Sequence, residues 1–377
     1  MSNKIKNIVI TAIFAIFIFG ITLTNILKTP SDISKSERRK LAQFPEISKE
    51  NILDTKFMSE FEDYALDQFI GRDFFRKIKA TFLYNILGQS DNNQIYIIDG
   101  QVSKYNNNLN EAQVSDAGRK FNKIAKDFLK GMNIYYSVIP DKNYFLAEEN
   151  GYPSIDYTVF IDKLKSSTKN MEYIDLFDVL KIEDYYSTDT HWKQEELGNV
   201  VKALGDKMKF SEYITNDYQK VEVGDFYGVY NGQAALPLNP DKISYLTNEI
   251  LKNAEVKIFD ATTLSWMPGI MHDESKITAN DPYDLFLSGP VQLITIENKD
   301  CKREKELYIF RDSYGSSLAP LLTEAYSKIT IIDVRYIGTP MLKNFVEFKE
   351  GSDALFIYGV DVLNNSSILK VMWWINS

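Results

Sequence analysis

The sequence of 377 residues contains one cysteine, Cys301, and two histidines, His191 and His272. A single cysteine cannot form an internal disulfide, and it cannot supply the thiolates of a cysteine-built zinc site. Two histidines leave few ligands for a metal cluster. We therefore expect neither a metal ion nor another cofactor.

The chain also has fewer basic residues than acidic ones. The chain has 43 lysine and arginine residues against 52 acidic residues, which gives a formal net charge of −9. This balance argues against nucleic acid as a partner. The hydrophobic share of 44% is enough for a large core and too high for a disordered chain. The length predicts one large domain or two ordinary ones.

Long apolar runs are absent except at the N-terminus. Ile8 to Leu27 is free of charge and has the length that spans a hydrocarbon core as a helix. No small-residue cleavage pattern follows near Leu23 to Pro30, which favours an uncleaved anchor at residues 1–28 over a cleaved signal peptide or a buried core helix. Basic residues flank both ends, so charge bias does not fix the orientation. The rest of the chain should form a soluble body on one side of a membrane.

Short buried strands alternate with helices over most of the remaining chain. The predicted strands are 94–98, 134–139, 173–176, 307–310, 329–332 and 355–358. Such alternation predicts an α/β fold with a mostly parallel sheet covered on both faces. Residues 29–90 read as a polar linker followed by a helical membrane-proximal segment, and residues 91–377 as the α/β domain. Residues 210–300, rich in Gly, Pro, Asn and Tyr, predict an irregular insertion with short antiparallel strands.

The segment Phe310 to Gly315 carries the strongest chemical signal. It follows an apolar strand and precedes the helix predicted at Leu318 to Tyr326. A sharp turn from strand to helix can hold the Ser313 hydroxyl at the carboxyl edge of the sheet, where the sites of such folds lie. Serine needs a base, and histidine provides one near neutral pH.

Asp189 and His191 could supply that base and its orienting carboxylate from one loop. A carboxylate on the far ring nitrogen fixes the tautomer of the imidazole and stabilises its charged form. The three side chains therefore predict a Ser–His–Asp site. Ser316 and Ser317 are weaker nucleophile candidates because they fall inside the predicted helix.

The same residues also have structural interpretations. Ser313 or Asp312 could cap the helix that follows, and Asp189 or Thr190 could cap a helix that begins near Trp192. His272 reads as a surface histidine. A further alternative is a metal site with three ligands: Asp189, His191 and Asp312.

The motifs resemble a known family. Thr188-Asp189-Thr190-His191-Trp192 resembles the signature of the DHHW family, with Thr190 in place of its first histidine. The stretch from Phe310 to Gly315 resembles the later serine motif of that family and the G-D-S block of SGNH hydrolases, with Arg311 in the glycine position. Weaker similarities cover most of the chain after the anchor.

This resemblance implies an SGNH-like, flavodoxin-like three-layer sandwich, similar to the periplasmic alginate O-acetyltransferases. By position, Ser313 would be the nucleophile, His191 the general base and Asp189 its orienter. The candidates for the oxyanion hole or for substrate binding are Gly228, Asn231 and Arg335. Pro290 stands where many relatives place an asparagine, and proline lacks both a side-chain donor and a backbone N–H.

The resemblance further implies a single-pass protein of the cell membrane with an extracytoplasmic serine O-acyltransferase or acetylesterase domain. A polysaccharide acceptor, an acetyl donor and an integral-membrane acyltransferase are the expected partners. The alternative is a non-catalytic carbohydrate-binding or assembly subunit of an envelope complex, which Pro290 favours.

Overall fold

The computed structural model describes residues 3–34 and 36–372. Its internal contacts divide the chain into two compact units. The first comprises residues 1–93 together with 231–238, and the second comprises residues 94–230 and 239–377. The short segment 231–238, expected inside the insertion, thus belongs to the same unit as the N-terminal region.

The first unit is largely helical. Its elements are α1 (Asn3–Leu27), β1 (Ile33–Ser34), β2 (Arg39–Lys40), α2 (Lys49–Leu53), α3 (Lys56–Asp67), α4 (Arg72–Thr81) and a π-helix (Phe82–Ile86). The apolar run predicted as the anchor lies within α1, which has no buried residue. Among the described residues, α1 is the one helix long and apolar enough to cross a membrane.

The second unit is built on an eight-stranded sheet. The strands of the unit are β3 (Ile95–Ile98), β4 (Gln101–Lys104), β5 (Asn133–Ile139), β6 (Glu172–Tyr173), β7 (Gln219–Phe226), β8 (Asp241–Thr247), β9 (Glu255–Asp260), β10 (Ser265–Pro268), β11 (Leu293–Glu297), β12 (Glu306–Arg311), β13 (Lys328–Ile332) and β14 (Asp353–Gly359). The main sheet has the order β10-β9-β11-β13-β12-β14-β5-β6. The strands from β13 to β6 pair in parallel, which places their carboxyl ends at one edge.

Helices cover both faces of this sheet. The helices of the second unit are α5 (Glu111–Phe128), α6 (Lys142–Leu146), α7 (Tyr157–Ser167), α8 (Gly198–Met208), α10 (Glu249–Asn253), α11 (Tyr314–Leu321), α12 (Thr339–Phe345) and α13 (Val360–Asn364). The chain also forms α9 (Val229–Ala234). Alternate side chains of β12 enter two separate cores: Leu307 and Ile309 pack with α8 and α11, and Tyr308 and Phe310 with α5 and α12. The predicted three-layer α/β fold with a mostly parallel sheet is confirmed.

The insertion is less separate than predicted. Its strands β9, β10 and β11 extend the main sheet in antiparallel pairing, and β11 joins β13 through pairs such as Ile294 with Ile331. Only β7 and β8 form a hairpin of their own. The insertion therefore completes one side of the sheet.

Two helix starts differ from the prediction. The helix expected from Trp192 begins at Gly198, because Trp192 pairs with Tyr185 in a β-bridge and its indole Nε1 donates to Ser317 Oγ at 2.8 Å. Asp189 and Thr190 consequently cap no helix there. The helix expected at Leu318 begins four residues earlier, at Tyr314, and thus starts directly after Ser313.

Candidate active site

The loop that carries Asp189 and His191 is fixed to the protein interior from two sides. The Asp241 carboxylate accepts hydrogen bonds from the amides of Ser187 at 2.7 Å and Thr188 at 2.8 Å. From the other side, the buried Lys142 Nζ donates to the carbonyls of Tyr186 at 2.7 Å and Ser187 at 2.8 Å. Burial lowers the pKa of Lys142 to about 7. These bonds satisfy backbone groups that a buried loop would otherwise leave without partners.

Asp189, His191 and Ser313 form a continuous hydrogen-bonded relay. Asp189 Oδ2 lies 2.6 Å from His191 Nδ1, and His191 Nε2 lies 2.7 Å from Ser313 Oγ. A fully buried carboxylate next to Nδ1 keeps the proton on that nitrogen, which leaves the lone pair of Nε2 directed at the serine hydroxyl. The relay spans 122 residues of sequence between His191 and Ser313.

Gly228 supports the loop that carries Asp189 and His191. Its amide donates to Thr188 Oγ1 at 2.9 Å, and the next amide, of Val229, donates to Asp189 Oδ1 at 2.7 Å. A side chain at position 228 would put its Cβ 2.2 Å from the Thr188 carbonyl oxygen, so only glycine fits this approach. A backbone amide has one hydrogen, and the bond to Thr188 uses that of Gly228. In this structure the Gly228 amide is committed to Thr188, and its role as an oxyanion donor stays a prediction.

Ser313 lies between the end of β12 and the start of α11. It has helical backbone angles, with φ −59° and ψ −28°, and its side chain makes no capping hydrogen bond. The neighbouring Asp312 has the structural role: its carboxylate accepts from the amides of Tyr314 at 3.1 Å and Gly359 at 2.7 Å. Burial raises the pKa of Asp312. Since both Asp312 oxygens bind backbone amides, the metal set of Asp189, His191 and Asp312 gains no support.

Two tyrosines enclose the His191 ring. Tyr283 stacks on it with centroids 3.9 Å apart and planes 10° apart, and Tyr314 meets it edge-on at 5.0 Å. The Tyr314 hydroxyl donates to the Thr190 carbonyl at 2.9 Å. Sequence reasoning missed both tyrosines. The position of Tyr314 next to Ser313 could have indicated one of them, whereas Tyr283 lies in the aperiodic insertion and had no local signal.

Arg335 is held in an ion pair. Its Nε and Nη2 donate to the two carboxylate oxygens of Asp333 at 2.9 and 2.7 Å. This bidentate arrangement orients the guanidinium plane. Asn231, the third candidate, lies in the part of the chain that belongs to the first unit.

Pro290 ends an unusual turn. The three residues before it have positive φ values: 53° at Leu287, 60° at Ser288 and 83° at Gly289. Residues other than glycine rarely adopt this left-handed region. Pro290 itself is exposed. Strain of this kind is concentrated near functional sites, and here the turn directly precedes β11.

His272 is not the surface residue that its sequence context predicted. Its ring stacks on Tyr245 at 4.3 Å and meets Phe286 edge-on at 6.0 Å. Burial lowers the pKa of His272 to about 3. The histidine is therefore a half-buried, neutral side chain beside the β7–β8 hairpin.

A polar cavity of about 480 Å³ opens at the carboxyl ends of β5 and β14. Asp141 follows β5, Asp361 follows β14, and Asn106 Nδ2 bridges them with bonds of 2.6 Å to Asp141 and 3.2 Å to Asp361. Lys142 and Tyr230 also line the cavity. Burial raises the pKa of Asp361 to about 7, and the Asp141 carboxylate contributes to the shift. Because Lys142 also holds the Asp189–His191 loop, the cavity adjoins the relay.

Comparison with solved structures identifies the fold. A DHHW family protein from Eubacterium siraeum aligns with a TM-score of 0.58 and 19% identity, over 74% of this chain and 96% of that one. The chain has the fold of a DHHW family protein. Bacillus cereus PatB1 with a sulfonyl adduct aligns with a TM-score of 0.60 and 15% identity, over 74% of this chain and 100% of that one. A second PatB1 structure gives a TM-score of 0.59 and 16% identity, over 71% and 96%.

No protein-family model and no curated protein matches the sequence. At the level of the fold, the resemblance to the DHHW family is nevertheless confirmed by the structural alignment. The chain covers nearly the whole length of these relatives, so the shared region includes the complete body of each.

Proposed function

We propose that this chain is a membrane-anchored serine O-acyltransferase or acetylesterase that acts outside the cytoplasm on a cell-surface or secreted polysaccharide. One observation carries the proposal: His191 Nε2 lies 2.7 Å from Ser313 Oγ while Asp189 holds the opposite ring nitrogen at 2.6 Å. Both distances are within hydrogen-bonding reach of the kind that activates a serine.

In the proposed reaction, Ser313 Oγ attacks the carbonyl carbon of an acetyl donor and gives its proton to His191 Nε2. The imidazolium returns this proton to the leaving group as the bond to the donor breaks, which leaves the acetyl group on Ser313. A sugar hydroxyl, or water in the hydrolytic case, then attacks, and His191 takes its proton before passing it back to Oγ. Asp189 stabilises the imidazolium in both halves.

The polar cavity next to the relay suits the acceptor. Parallel α/β sheets bind their ligands beyond the carboxyl ends of the strands, which is where Asp141 and Asp361 stand. The Asn106 amide can donate hydrogen bonds to sugar hydroxyls and accept them, and an ionised Asp361 carboxylate can accept them. We therefore propose that the acceptor sugar binds in this cavity, whose residue Lys142 also holds the loop of Asp189 and His191.

The experiment measures hydrolysis of p-nitrophenyl acetate by the purified full-length chain. We expect Ser313→Ala and Asp189→Asn each to lower kcat by about a thousandfold or more, because the first removes the nucleophile and the second the correct tautomer of His191. Ser316→Ala, two residues into the same helix region, serves as the matched control and should keep the rate. If Ser313→Ala hydrolyses the ester at the wild-type rate, the proposal is wrong.

A chemical test is independent of turnover. PatB1 is a protein of the same fold for which a sulfonyl adduct is known. Phenylmethylsulfonyl fluoride should form a sulfonate ester with Ser313 Oγ, with loss of fluoride, and mass spectrometry of the peptide containing Ser313 should detect it. The non-catalytic alternative predicts no adduct, and it predicts only the background rate of ester hydrolysis in the wild type and in all three variants.

A further inference from the structure

A row of uncovered apolar side chains runs along the membrane-proximal helices. The row recurs at every fourth residue and consists of Leu66, Ile70, Phe74, Ile78, Phe82 and Ile86. Each side chain is between 37% and 68% exposed. Isolated exposed hydrophobic residues are ordinary on a protein surface, but a continuous apolar stripe marks a surface that contacts something else.

The second half of this apolar row lies on one face of a continuous helical segment. Phe74 and Ile78 belong to α4, and Phe82 begins the π-helix that continues it. At 3.6 residues per turn, these three positions fall within an arc of about 80°. The opposite face of the segment packs within the first unit. Arg72 Nη1 pairs with Glu37 at 2.5 Å, and Ala80 is fully buried. The segment is therefore amphipathic, with its apolar face left uncovered.

The start of this segment is bound directly to the end of α1. Asn25 Oδ1 accepts from the Ile70 amide at 2.7 Å, and Lys28 Nζ donates to the Gln68 carbonyl at 3.0 Å. The Gln68 side chain also bonds both the amide and the carbonyl of Ser31 at 2.9 Å. Asn25 and Lys28 mark the point at which a membrane-spanning α1 leaves the hydrocarbon. These bonds therefore hold the turn between α3 and α4 at the membrane depth at which α1 leaves the hydrocarbon.

We propose that α4 and the π-helix lie in the membrane interface, with the apolar row inserted at the boundary between lipid headgroups and acyl chains. The inference rests on the proposed role of α1 as an anchor. An in-plane helix needs an apolar face, cations that reach the phosphates and a position at the interface. The apolar row supplies the first, the exposed Lys77 and Lys79 the second, and the bonds to Asn25 and Lys28 the third. The occupant of this surface is the lipid bilayer.

The test uses the full-length chain in nanodiscs of phosphatidylcholine and phosphatidylglycerol. In a Cys301→Ser background, single cysteines at Ile78→Cys or Phe82→Cys carry an NBD fluorophore. We expect nitroxides on the upper acyl chain to quench both labels, and the iodide quenching constant at both positions to be about fivefold smaller than at the exposed control Lys202→Cys. A far-UV circular dichroism spectrum and a thermal unfolding midpoint equal to those of the Cys301→Ser parent verify that each labelled variant is folded.

The outcomes separate the inference from the anchor on which it depends. A label at Ile13→Cys, in the middle of α1, reports whether that helix spans the bilayer. Lipid quenching at position 13 with free access of iodide to positions 78 and 82 overturns the interfacial helix alone. Absence of lipid quenching at position 13 overturns the anchor and the inference together. Shielding of positions 78 and 82 from iodide without quenching by lipid nitroxides means that protein covers the surface, which also contradicts the inference.

Discussion

Lys142 keeps an amino group in the core beneath the loop that carries Asp189 and His191. Its pKa is lowered to about 7 by burial, from an ordinary value of 10.5. Between these pH values the unfolded chain binds a proton that the folded chain does not, so folding stability rises with pH by about 1.4 kcal/mol per pH unit. Lys142→Met lacks this titration. We expect the stability of the wild type relative to Lys142→Met to increase by about 2 kcal/mol from pH 7.5 to pH 9, measured as urea denaturation followed by tryptophan fluorescence.

Lys202→Met is the matched control for this titration. Lys202 is exposed on α8, where it pairs with Asp206. Its removal should leave the difference from the wild type constant over the same pH range, because exposed pairs contribute little. Parallel pH profiles for wild type and Lys142→Met would show that folding does not lower the pKa of Lys142.

At the scale of single residues, the sequence predicted the identities of the relay but not their surroundings. Ser313, His191 and Asp189 could be found because motifs preserve reactive side chains in short, readable segments. The stacking of Tyr283 on His191 could not, since it joins two segments with no shared periodicity. His272 was misassigned for the same reason: its burial depends on Tyr245, which comes from another strand.

At the scale of elements, the contact that fixes the position of His191 is the close approach of the chain after β7 to the Asp189 loop. Gly228→Ala would place a Cβ 2.2 Å from the Thr188 carbonyl oxygen and 2.4 Å from the Asp189 Cβ. Relief of this overlap must move the loop, at a cost of about 1 to 3 kcal/mol. We expect the variant to lose at least about tenfold in kcat for ester hydrolysis, because His191 is displaced from Ser313.

Gly224→Ala, at a glycine within β7 and four residues earlier in the chain, provides the comparison. A Cβ at position 224 would meet nothing within 4 Å. This variant should retain the wild-type kcat, although both substitutions add one methyl group to a glycine of the hairpin region. Equal losses in the two variants would assign the effect to the hairpin as a whole and not to the approach at Gly228.

The elements that could be predicted are those whose sequence pattern is local. Strands such as β5, β12 and β14 are short apolar runs that are buried on both faces, and their patterns are readable locally. Short antiparallel strands were predicted in the insertion, but their positions and their place in the main sheet were not, because partners such as β9 and β11 are recognised only once they pair. The late start of α8 depends on the bridge between Trp192 and Tyr185, which helix propensity does not register.

For the whole molecule, the proposal predicts both attachment and sidedness. A helix of 25 residues is about 37 Å long, enough to cross a hydrocarbon core of about 30 Å. After alkaline carbonate treatment, the full-length chain should remain in the membrane pellet, whereas a chain lacking residues 3–28 should be released. Protease added to intact spheroplasts should degrade the part of the chain after residue 28.

A cytoplasmic location of the folded body would give the opposite result in the protease experiment. Protection of the chain in intact spheroplasts, with degradation after lysis, would place the folded body in the cytoplasm and contradict the extracytoplasmic assignment. The sequence alone could not decide this point, since basic residues such as Lys4 and Lys28 flank both ends of α1. The existence of the helix was predictable because a charge-free and mostly apolar run of about twenty residues can be recognised without its packing partners.

The division of the chain between its two units has a consequence for synthesis on the ribosome. The first unit includes residues 231–238, whose carbonyls at Gly232 and Ala234 accept bonds from Arg76 and Asn92. Residues 94–230 must therefore be translated before the N-terminal region can be completed, a delay of roughly ten seconds at ordinary elongation rates. During that interval α1 has already emerged, and the first unit, to which α1 belongs, lacks residues 231–238. In the nascent chain, the N-terminal region is then the part most accessible to chaperones and proteases.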